Sequence, residues 1–283
     1  MAMNNLLGCN TLYPHGRLTD IKAQFTLEAQ REALRNIRDA GFDGCEFSHY
    51  ENLQEEECAA LRTACEGLGL TPWSAHSWVQ LPADAAALKE RMPLLVQSLA
   101  GAATLGAKVM VVHAQNAPKG DLNKAARLKW ETGIETGLLA LAPYTITFGL
   151  EVAIENCGDR IELEMLVETV QALGLPGIGL NIDTGHAVLH GMTPAEAIGL
   201  MGPLLRTTHL QDNHGLQDEH LPPGRGTIDW PATLAALSQA KYKGMLMVEI
   251  SDCPPGREPD AVKDTRDAYK NLHRFAAATA KAR

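Results

Sequence analysis

Short runs of β-forming residues recur along the chain and alternate with longer segments that have helical periodicity. Because a buried strand is short and a helix is longer, this alternation predicts strands that are each followed by a helix. The eight predicted strands are Leu6–Asn10, Phe42–Phe47, Leu70–Ala75, Lys108–His113, Thr147–Glu155, Gly177–Asp183, Arg206–Gln211 and Gly244–Ile250.

The segments between the strands carry helix-terminus signals. One has four apolar residues at helical spacing and a glycine that closes it: Ala33, Leu34, Ile37, Ala40 and Gly41. Another begins with a capping box of Thr193 and Glu196, with Pro194 at the first helical position. Residues His214–Ile228 are predicted to be irregular, and the C-terminal tail is predicted to be a polar helix.

Alternating strands and helices imply parallel strands, since a parallel pair needs a crossover connection, and eight such units close a barrel. A doubly wound open sheet is the main alternative. The chain has no long interruption, no Pro/Gly-rich linker and no Gly-rich dinucleotide loop after the first strand, which disfavours an open sheet. We therefore predict the α/β class, as a single-domain (β/α)8 TIM barrel over residues 1–283.

The composition is that of a chain able to fill a core. Hydrophobic residues make up 45% and charged residues 21% of the 283 residues, which argues against disorder. The net charge of -9 disfavours nucleic acid as a partner, although a local basic groove would be compatible with it. We expect neither secretion nor membrane association, since the start lacks a signal-peptide pattern and no apolar run is long enough to cross a bilayer.

Six cysteines are scattered without any C-x-x-C pair: Cys9, Cys45, Cys58, Cys65, Cys157 and Cys253. Several fall inside apolar strand-like runs, where a reduced thiol behaves as a small hydrophobe. We therefore expect reduced thiols and a cytoplasmic protein. A homo-oligomeric state stays open.

Polar residues close four successive predicted strands: Glu155 the fifth, Asp183 the sixth, His209 the seventh and Glu249 the eighth. The ends of parallel barrel strands share one face, so these side chains should converge there. Three carboxylates aimed at one point repel one another unless a cation neutralises them, and carboxylates with an imidazole suit Mn²⁺, Co²⁺ or Zn²⁺.

The alternative is that a separate Lys or Arg pairs with each carboxylate. The Val-Ala-Ile run before Glu155 and the Met-Leu-Met-Val run before Glu249 contain no such partner. We therefore predict a divalent metal site made by Glu155, Asp183, His209 and Glu249.

Histidines at other strand ends are candidate substrate contacts. His76 and His113 close the third and fourth strands, where each could be a metal ligand, a substrate contact or a capped core histidine. His186 follows Asp183 in D-T-G-H, and we expect it to contact substrate rather than to fill the core.

Three further side chains are weaker candidates for substrate contact. Glu46 ends the second strand, where it could bind a sugar hydroxyl, support the metal ligands or pair with a Lys or Arg. Trp78 and Trp73 flank His76 and could form an aromatic platform for a sugar, although packing is the better explanation for Trp73. Arg225 could meet an anionic phosphate or carboxylate, or it could be solvated.

Three motifs resemble the signatures of the sugar phosphate isomerase/epimerase superfamily, the xylose-isomerase-like barrels: IDTGHA, HLQDNHG and DEHLPPGRGTIDW. The similarity runs from Gly8 to Glu249 and is most specific over Glu155 to Trp230. It implies a (β/α)8 barrel, with Mn²⁺ as the expected ion and Co²⁺, Mg²⁺ or Zn²⁺ as alternatives. It also implies that Glu155 and Glu249 act as acid and base beside the substrate, with His220 among the substrate contacts.

That resemblance implies an isomerase or epimerase of carbohydrate metabolism, acting on a small-molecule sugar or sugar derivative. One glutamate would remove a proton next to a carbonyl, a metal-stabilised enediolate would form, and the other would return the proton. Loss of a leaving group from the same intermediate would make a lyase or dehydratase on a keto-sugar or inosose. A non-catalytic sugar-binding subunit is a further alternative.

The superfamily also contains abasic-site nucleases of the endonuclease IV type, which hold three zinc ions. This sequence has a residue for each of their nine ligand positions: His76, His113, Glu155, Asp183, His186, His209, Asp218, His220 and Glu249. Three departures favour the sugar branch: Gly185 stands where the nucleases have cysteine, Gln211–His214 replaces N-D-S-K, and Pro222–Pro223 has no nuclease counterpart.

The ketose 3-epimerases share the four predicted ligands and His186, but two of their substrate residues are missing. His220 stands where their arginine precedes Pro-Pro-Gly, and Ile161 stands about where a substrate-binding glutamate is expected. A free-ketose 3-epimerase is therefore one candidate among several.

Overall fold

The computed structural model of the protein describes residues 5–11, 25–115, 124–251 and 260–281. Within these residues, eight parallel strands form one sheet in the order β7-β6-β5-β4-β3-β2-β1-β8. The strands are β1 Leu7–Asn10, β2 Gly44–Ser48, β3 Thr71–His76, β4 Val109–His113, β5 Glu151–Glu155, β6 Ile178–Asp183, β7 Leu205–His209 and β8 Leu246–Val248.

The strands curl into a barrel because β1 pairs with both β2 and β8. The remaining gap, between β7 and β8, is spanned by a parallel bridge from Leu210 to Val248, with Leu210 N donating to Met247 O at 2.8 Å. The predicted fold class, a single (β/α)8 barrel, is confirmed.

Helices follow the strands around the outside. In the described residues they are α1 Leu27–Ala40, α2 Glu55–Leu68, α3 Ala85–Leu105, α4 Lys124–Phe148, α5 Arg160–Leu173, α6 Thr184–Leu189, α7 Pro194–Met201, α8 Trp230–Gln239 and α9 Ala261–Lys281. Short 3-10 turns cover Tyr50–Asn52 and Gly202–Leu204. No helix of the described residues is long and apolar enough to cross a membrane.

The predicted helix termini are confirmed. α1 ends where Gly41 adopts a left-handed conformation with φ 108°, which glycine reaches without steric cost. α7 begins with Thr193 accepting from Glu196 N while the Glu196 carboxylate accepts from Thr193 N, and Pro194 follows the cap. The C-terminal tail is helical, as predicted, from Ala261 to Lys281.

Several strand boundaries were predicted wrongly. The fifth strand starts at Glu151 and not at Thr147, because α4 continues to Phe148 and ends at Gly149, whose φ is 66°. β-Branched residues at the end of α4 gave the misleading strand pattern. β8 is shorter than predicted and ends at Val248, so that Glu249 lies just beyond it.

The hydrophobic core lies between the barrel and its helices. The cysteines Cys9, Cys45, Cys58 and Cys65 are buried within it, and all described cysteines are free, as expected. Cys253 lies outside the described residues.

Asp212 organises the irregular segment that follows β7. Its buried carboxylate accepts four hydrogen bonds, from Asn213 N, Gly224 N, Ile228 N and the indole nitrogen of Trp230, at 2.8–3.2 Å. The segment therefore folds around one carboxylate and has little regular structure of its own, as predicted.

Candidate metal centre

The four predicted ligands converge at the C-terminal end of the barrel. Glu155, Asp183 and His209 are the last residues of β5, β6 and β7, and Glu249 directly follows β8. Nδ1 of His209 lies 2.8 Å from Oε2 of Glu155 and 3.1 Å from Oε2 of Glu249. Ligand atoms of Glu155, Asp183 and His209 lie within 4.8 Å of one another. All four side chains are buried, the most exposed being Glu249 at 3%.

Nδ1 of His209 is a buried nitrogen held between carboxylates. Neither close carboxylate contact has hydrogen-bond geometry, so Nδ1 has no hydrogen-bond partner in the described part of the chain. Within that part, the ion-pair partners of Glu155, Asp183 and Glu249 are histidines and not Lys or Arg. A free imidazole nitrogen facing carboxylate oxygens is a donor set that a divalent cation satisfies. The residues therefore fit the predicted ion.

Two asparagines support the ends of β5 and β6. Asn181 lies opposite Glu155 in the β5–β6 register, and its Nδ2 donates to Glu155 Oε2 at 2.9 Å. Asn156 accepts from the backbone N–H of Asp183 at 2.7 Å and donates to its carbonyl at 3.0 Å. These bonds fix the ends of β5 and β6 relative to each other.

Glu46 contacts His209 on its other edge. The Glu46 side chain is fully buried, and its Oε2 lies 3.0 Å from Nε2 of His209 while accepting from Ser74 Oγ at 2.6 Å. No Lys or Arg among the described residues pairs with it. Of the three roles expected for Glu46, contact with a metal ligand is the one that this geometry matches.

His76 and His113 reach the outer oxygens of the two glutamates. His76 Nδ1 lies 3.4 Å from Glu249 Oε1, and His113 Nε2 lies 3.2 Å from Glu155 Oε1. The two imidazole rings meet edge to face with their centroids 4.9 Å apart. Both strand-end histidines therefore border the cluster.

A second set of side chains approaches from the segments after β6 and β7. Asp218 Oδ2 lies 3.0 Å from His220 Nε2 and 3.7 Å from His186 Nε2. The opposite ring nitrogens, Nδ1 of each histidine, lie 3.0 Å from Glu155 Oε1 for His186 and 3.6 Å from Glu249 Oε2 for His220. His186 and His220 therefore link Asp218 to the two glutamates.

Ligand atoms within 4.8 Å of one another occur in several overlapping sets. Three of these sets together hold eight of the nine residues that match the nuclease ligand pattern: His76, His113 and Glu155; Glu155, Asp183 and His209; and His186, Asp218 and His220. Glu249, the ninth, groups with Glu46, His76 and His209. The geometry thus offers space for more than one ion.

Trp78 forms an aromatic wall beside His76. The residue is 54% exposed, and its ring stacks on His49 at 4.1 Å and lies 6.2 Å from the ring of His76 at an interplanar angle of 17°. Trp73 instead donates from its indole to Thr207 Oγ1 across the barrel at 3.1 Å, in line with the packing role expected for it.

Arg225 forms ion pairs with two aspartates of α9. Its guanidinium donates to Asp264 at 2.5 Å and also to Asp267. Two carboxylates therefore already neutralise the charge of this arginine. The pairing was not legible in the sequence because both partners lie about forty residues downstream, on another element.

Charges and burial shift the pKa values of the carboxylates in the cluster in different directions. Burial, together with the neighbouring charges of Glu155 and Glu249, raises the pKa of Asp183 to about 7, although His186 and His220 act in the opposite direction. Burial also disfavours the charged forms of Glu155 and Glu249, but the nearby His209 reverses this and holds both pKa values well below their usual range. The two glutamates are therefore ionised and able to accept a proton or bind a cation.

Sequence reasoning missed three supporting residues that share one pattern. Ser74 precedes His76 by two residues, Asn181 precedes Asp183 by two, and Gln211 follows His209 by two. Alternate residues of a strand face the same side, so Ser74 and Asn181 point inward with the residue already identified, and Gln211 continues this alternation two residues beyond the end of β7. Gln211 Nε2 donates to Asp218 Oδ1 at 2.7 Å.

One family model matches the chain, described as xylose isomerase-like TIM barrel, and the match covers residues 34–272. An uncharacterized protein of Methanocaldococcus jannaschii is 26% identical over 267 residues, covering 87% of this chain and 84% of that protein. An inosose dehydratase of Lacticaseibacillus casei is 25% identical over 183 residues, covering 55% of this chain and 61% of that protein.

Solved structures share the barrel at low identity. A D-tagatose 3-epimerase-like protein superposes with a TM-score of 0.78 at 20% identity, covering 98% of this chain and 99% of its own. A 3-keto-D-glucoside 4-epimerase from E. coli gives 0.73 at 21%, covering 96% and 100%. The IOLI protein, solved with a zinc atom, gives 0.73 at 16%, covering 98% of both chains. These likenesses establish a common fold.

Proposed function

Since this chain belongs to the xylose isomerase-like TIM barrel family, we propose that it is a divalent-metal-dependent enzyme that isomerises or epimerises a sugar or sugar-derived ketone. The observation that carries the proposal is the buried Nδ1 of His209, which lies between Oε2 of Glu155 and Oε2 of Glu249 without a hydrogen bond among the described residues. The 3-epimerase-like and 4-epimerase names of the structural neighbours support the reaction class.

Glu155, Asp183, His209 and Glu249 would hold the ion, with Mn²⁺ as our first candidate because its ligand preference includes carboxylate and imidazole. A bound divalent ion would polarise a substrate carbonyl and stabilise negative charge on the enediolate oxygens. The zinc atom in the IOLI structure makes Zn²⁺ the main alternative.

Glu155 and Glu249 would exchange the proton. Each places Oε2 near His209 and leaves Oε1 beside other histidines: His113 and His186 for Glu155, and His76 for Glu249. Their pKa values are held low, so either carboxylate starts in the ionised form that a general base requires. Because β6 and β7 separate the two strand ends, one glutamate can act on each face of a bound substrate.

A small polar substrate suits the side chains around the cluster. His76, His113, His186 and His220 offer ring nitrogens for hydroxyl groups, and the exposed Trp78 offers an apolar face for a sugar ring. We propose these as the substrate contacts, in a cytoplasmic protein.

A dehydratase acting on an inosose or keto-sugar is the second candidate, favoured by the similarity to an inosose dehydratase. The proton abstraction would be the same, and a hydroxyl would leave from the neighbouring carbon. His76 or His186 could donate the proton that this hydroxyl needs in order to leave as water.

An abasic-site nuclease with three zinc ions is a third candidate, favoured by the grouping of the nine ligand-type residues. The net charge of -9 argues against it, because nuclease binding depends on attraction to phosphates. Counting the metal ions per chain and testing for nicking of an abasic duplex separates the nuclease from the sugar enzymes. Three ions with nicking supports the nuclease, and one ion without nicking excludes it.

The deciding experiment incubates the Mn²⁺-loaded protein with ketoses, keto-sugars and inososes in D₂O and locates incorporated deuterium by NMR. Deuterium at a carbon next to the carbonyl, with an isomer or epimer as product, supports the proposal. A dehydrated product supports the second candidate. Sugar binding without exchange or turnover at any metal loading would instead indicate a non-catalytic binding subunit.

A further inference from the structure

Glu46 lies across the barrel from the residue that it contacts. It is on β2, whereas His209 ends β7, and the two strands are not neighbours in the sheet. The contact between Glu46 Oε2 and His209 Nε2, 3.0 Å long, therefore passes through the barrel interior.

Burying the Glu46 carboxylate costs desolvation free energy, and the stability of the fold does not require a carboxylate here. Oε2 accepts from Ser74 Oγ and lies 3.0 Å from His209 Nε2, whereas Oε1 is buried without a hydrogen-bond partner among the described residues. An apolar side chain of similar size at a buried position is often at least as stable as an ionic one. A buried carboxylate that keeps one oxygen unpaired is therefore better explained by what it does to its partner.

The partner is an imidazole with two different edges. A carboxylate that accepts from Nε2–H leaves Nδ1 as the nitrogen with a free lone pair, because a neutral imidazole carries one proton. Nδ1 is the nitrogen that lies 2.8 Å from Glu155 Oε2 and 3.1 Å from Glu249 Oε2. Glu46 thus sets which edge of His209 faces the other three predicted ligands.

Two other roles for Glu46 fit the geometry less well. Direct contact with a sugar would leave the contacts of Glu46 Oε2 with Ser74 Oγ at 2.6 Å and His209 Nε2 at 3.0 Å without a purpose. Ligation of the ion at Nδ1 needs Glu46 on that edge of the ring, whereas its Oε2 lies at Nε2.

We propose that Glu46 is a positioning residue that fixes the tautomer and orientation of His209, so that His209 binds the divalent ion through Nδ1. Ser74 holds Glu46 in place through its 2.6 Å hydrogen bond. The inference rests on the proposed metal site. It adds that Nδ1 is the ligating atom of His209 and that Glu46 supports this ligand without touching the ion.

The test uses the protein labelled with ¹⁵N-histidine and loaded with ¹¹³Cd²⁺, a spin-active stand-in for the native ion. We expect one-bond ¹¹³Cd–¹⁵N coupling at Nδ1 of His209 and a retained proton on Nε2. Coupling at Nε2 would overturn the inference while leaving the metal site intact. A wild-type protein that binds no Cd²⁺ would overturn the proposed site, and this inference with it.

Glu46→Gln should lower Cd²⁺ affinity about 10–100-fold and shift the Nε2–H resonance, as expected for a support behind a metal ligand. Ser74→Ala should give a smaller loss in the same direction, and it covers the case in which Glu46→Gln fails to fold. The matched control is Glu151→Gln at the opposite end of β5, which should leave affinity within about twofold. Unchanged affinity and an unchanged Nε2–H resonance in folded Glu46→Gln would contradict the inference.

Discussion

The side-chain amide of Gln211 packs against Gly185 so closely that a Cβ at position 185 would come within 2.2 Å of Gln211 Cδ. From this position Gln211 Nε2 donates to Asp218 Oδ1 at 2.7 Å and, more weakly, to Asp183 Oδ2 at 3.4 Å. Gly185 therefore leaves room for an amide that links the predicted metal ligand Asp183 to Asp218.

Gly185→Ala should displace this amide without unfolding the protein. The atoms in conflict are the far end of a flexible side chain, and alanine is favoured over glycine inside α6, so thermal stability should change little. The loss of a hydrogen bond to Asp218 should lower turnover about tenfold or more in the deuterium-exchange assay.

Gly199→Ala in α7 is the matched control, because a Cβ there meets nothing within 4 Å. It should leave turnover unchanged. Gln211→Ala should reproduce the loss seen in Gly185→Ala, and full activity in both variants would show that the Gln211 link has no functional role.

Glu155→Gln and Glu249→Gln should each remove turnover while leaving the fold intact. Glutamine preserves the shape of the side chain but neither accepts a proton at neutral pH nor carries charge, so we expect losses of about 100-fold or more. Circular dichroism checks the fold. Glu151→Gln, at the other end of the same strand, should retain activity. Near-normal activity in both site variants would contradict the acid/base assignment.

Binding of a divalent ion should stabilise the protein, because it relieves repulsion among buried carboxylates. An ion present at about 100 times its dissociation constant adds about 2.7 kcal/mol, which for a chain of this size corresponds to a rise in Tm of about 5 °C. Differential scanning fluorimetry of chelator-treated protein with and without Mn²⁺ measures the shift. Asp183→Asn should lose most of it, and an equal shift in that variant would remove Asp183 from the ligand set.

Much of the barrel was predictable because apolar residues recur with different spacing in strands and in helices. The four ligands were identified because each closes a strand, and parallel strands bring their ends to one face regardless of separation in the chain. The end of α4 was not predictable, since the apolar and β-branched run from Thr147 to Glu155 is typical of a strand, while tertiary packing extends the helix to Phe148.

Contacts that form only when the barrel closes could not be predicted from the sequence. Glu46 precedes His209 by 163 positions, and their contact exists only because β2 and β7 face each other across the interior. The pairing of Arg225 with carboxylates was unpredictable for a similar reason, because its partners lie on α9. Spacing within a strand carries information about neighbours on that strand, but it carries none about which side chains meet across a barrel.

Asp212→Asn should destabilise the segment after β7. An amide keeps one acceptor oxygen and turns a donor toward N–H groups, so about two of the four hydrogen bonds to Asp212 are lost inside a buried site. We expect a loss of about 3 kcal/mol in the free energy of unfolding, measured by urea denaturation. Asp229→Asn is the control, because Asp229 caps α8 and asparagine caps equally well. Equal stability of the two variants would show that Asp212 is not the organising residue.

His49 should make stability depend on pH. Its ring is buried between Phe25 and Trp78, with centroids 4.0 Å and 4.1 Å away, and its Nε2 has no hydrogen-bond partner among the described residues. Burial, together with the charge of His76, lowers the pKa of His49 to about 3. An unfolded chain with a pKa of about 6.5 binds a proton that the folded protein refuses, so this stabilisation is complete above pH 6.5 and declines as pH falls toward 3.

The decline amounts to about 2 kcal/mol at pH 5.0. Asparagine tolerates the left-handed backbone at position 49, where φ is 54°, and does not titrate. His49→Asn should therefore be less stable than the wild type at pH 7.5, through lost ring contacts, and the difference should shrink by about 2 kcal/mol at pH 5.0. Urea denaturation of chelator-treated protein at both pH values measures it. A difference that stays constant or widens would mean that folded His49 accepts a proton as readily as the unfolded chain.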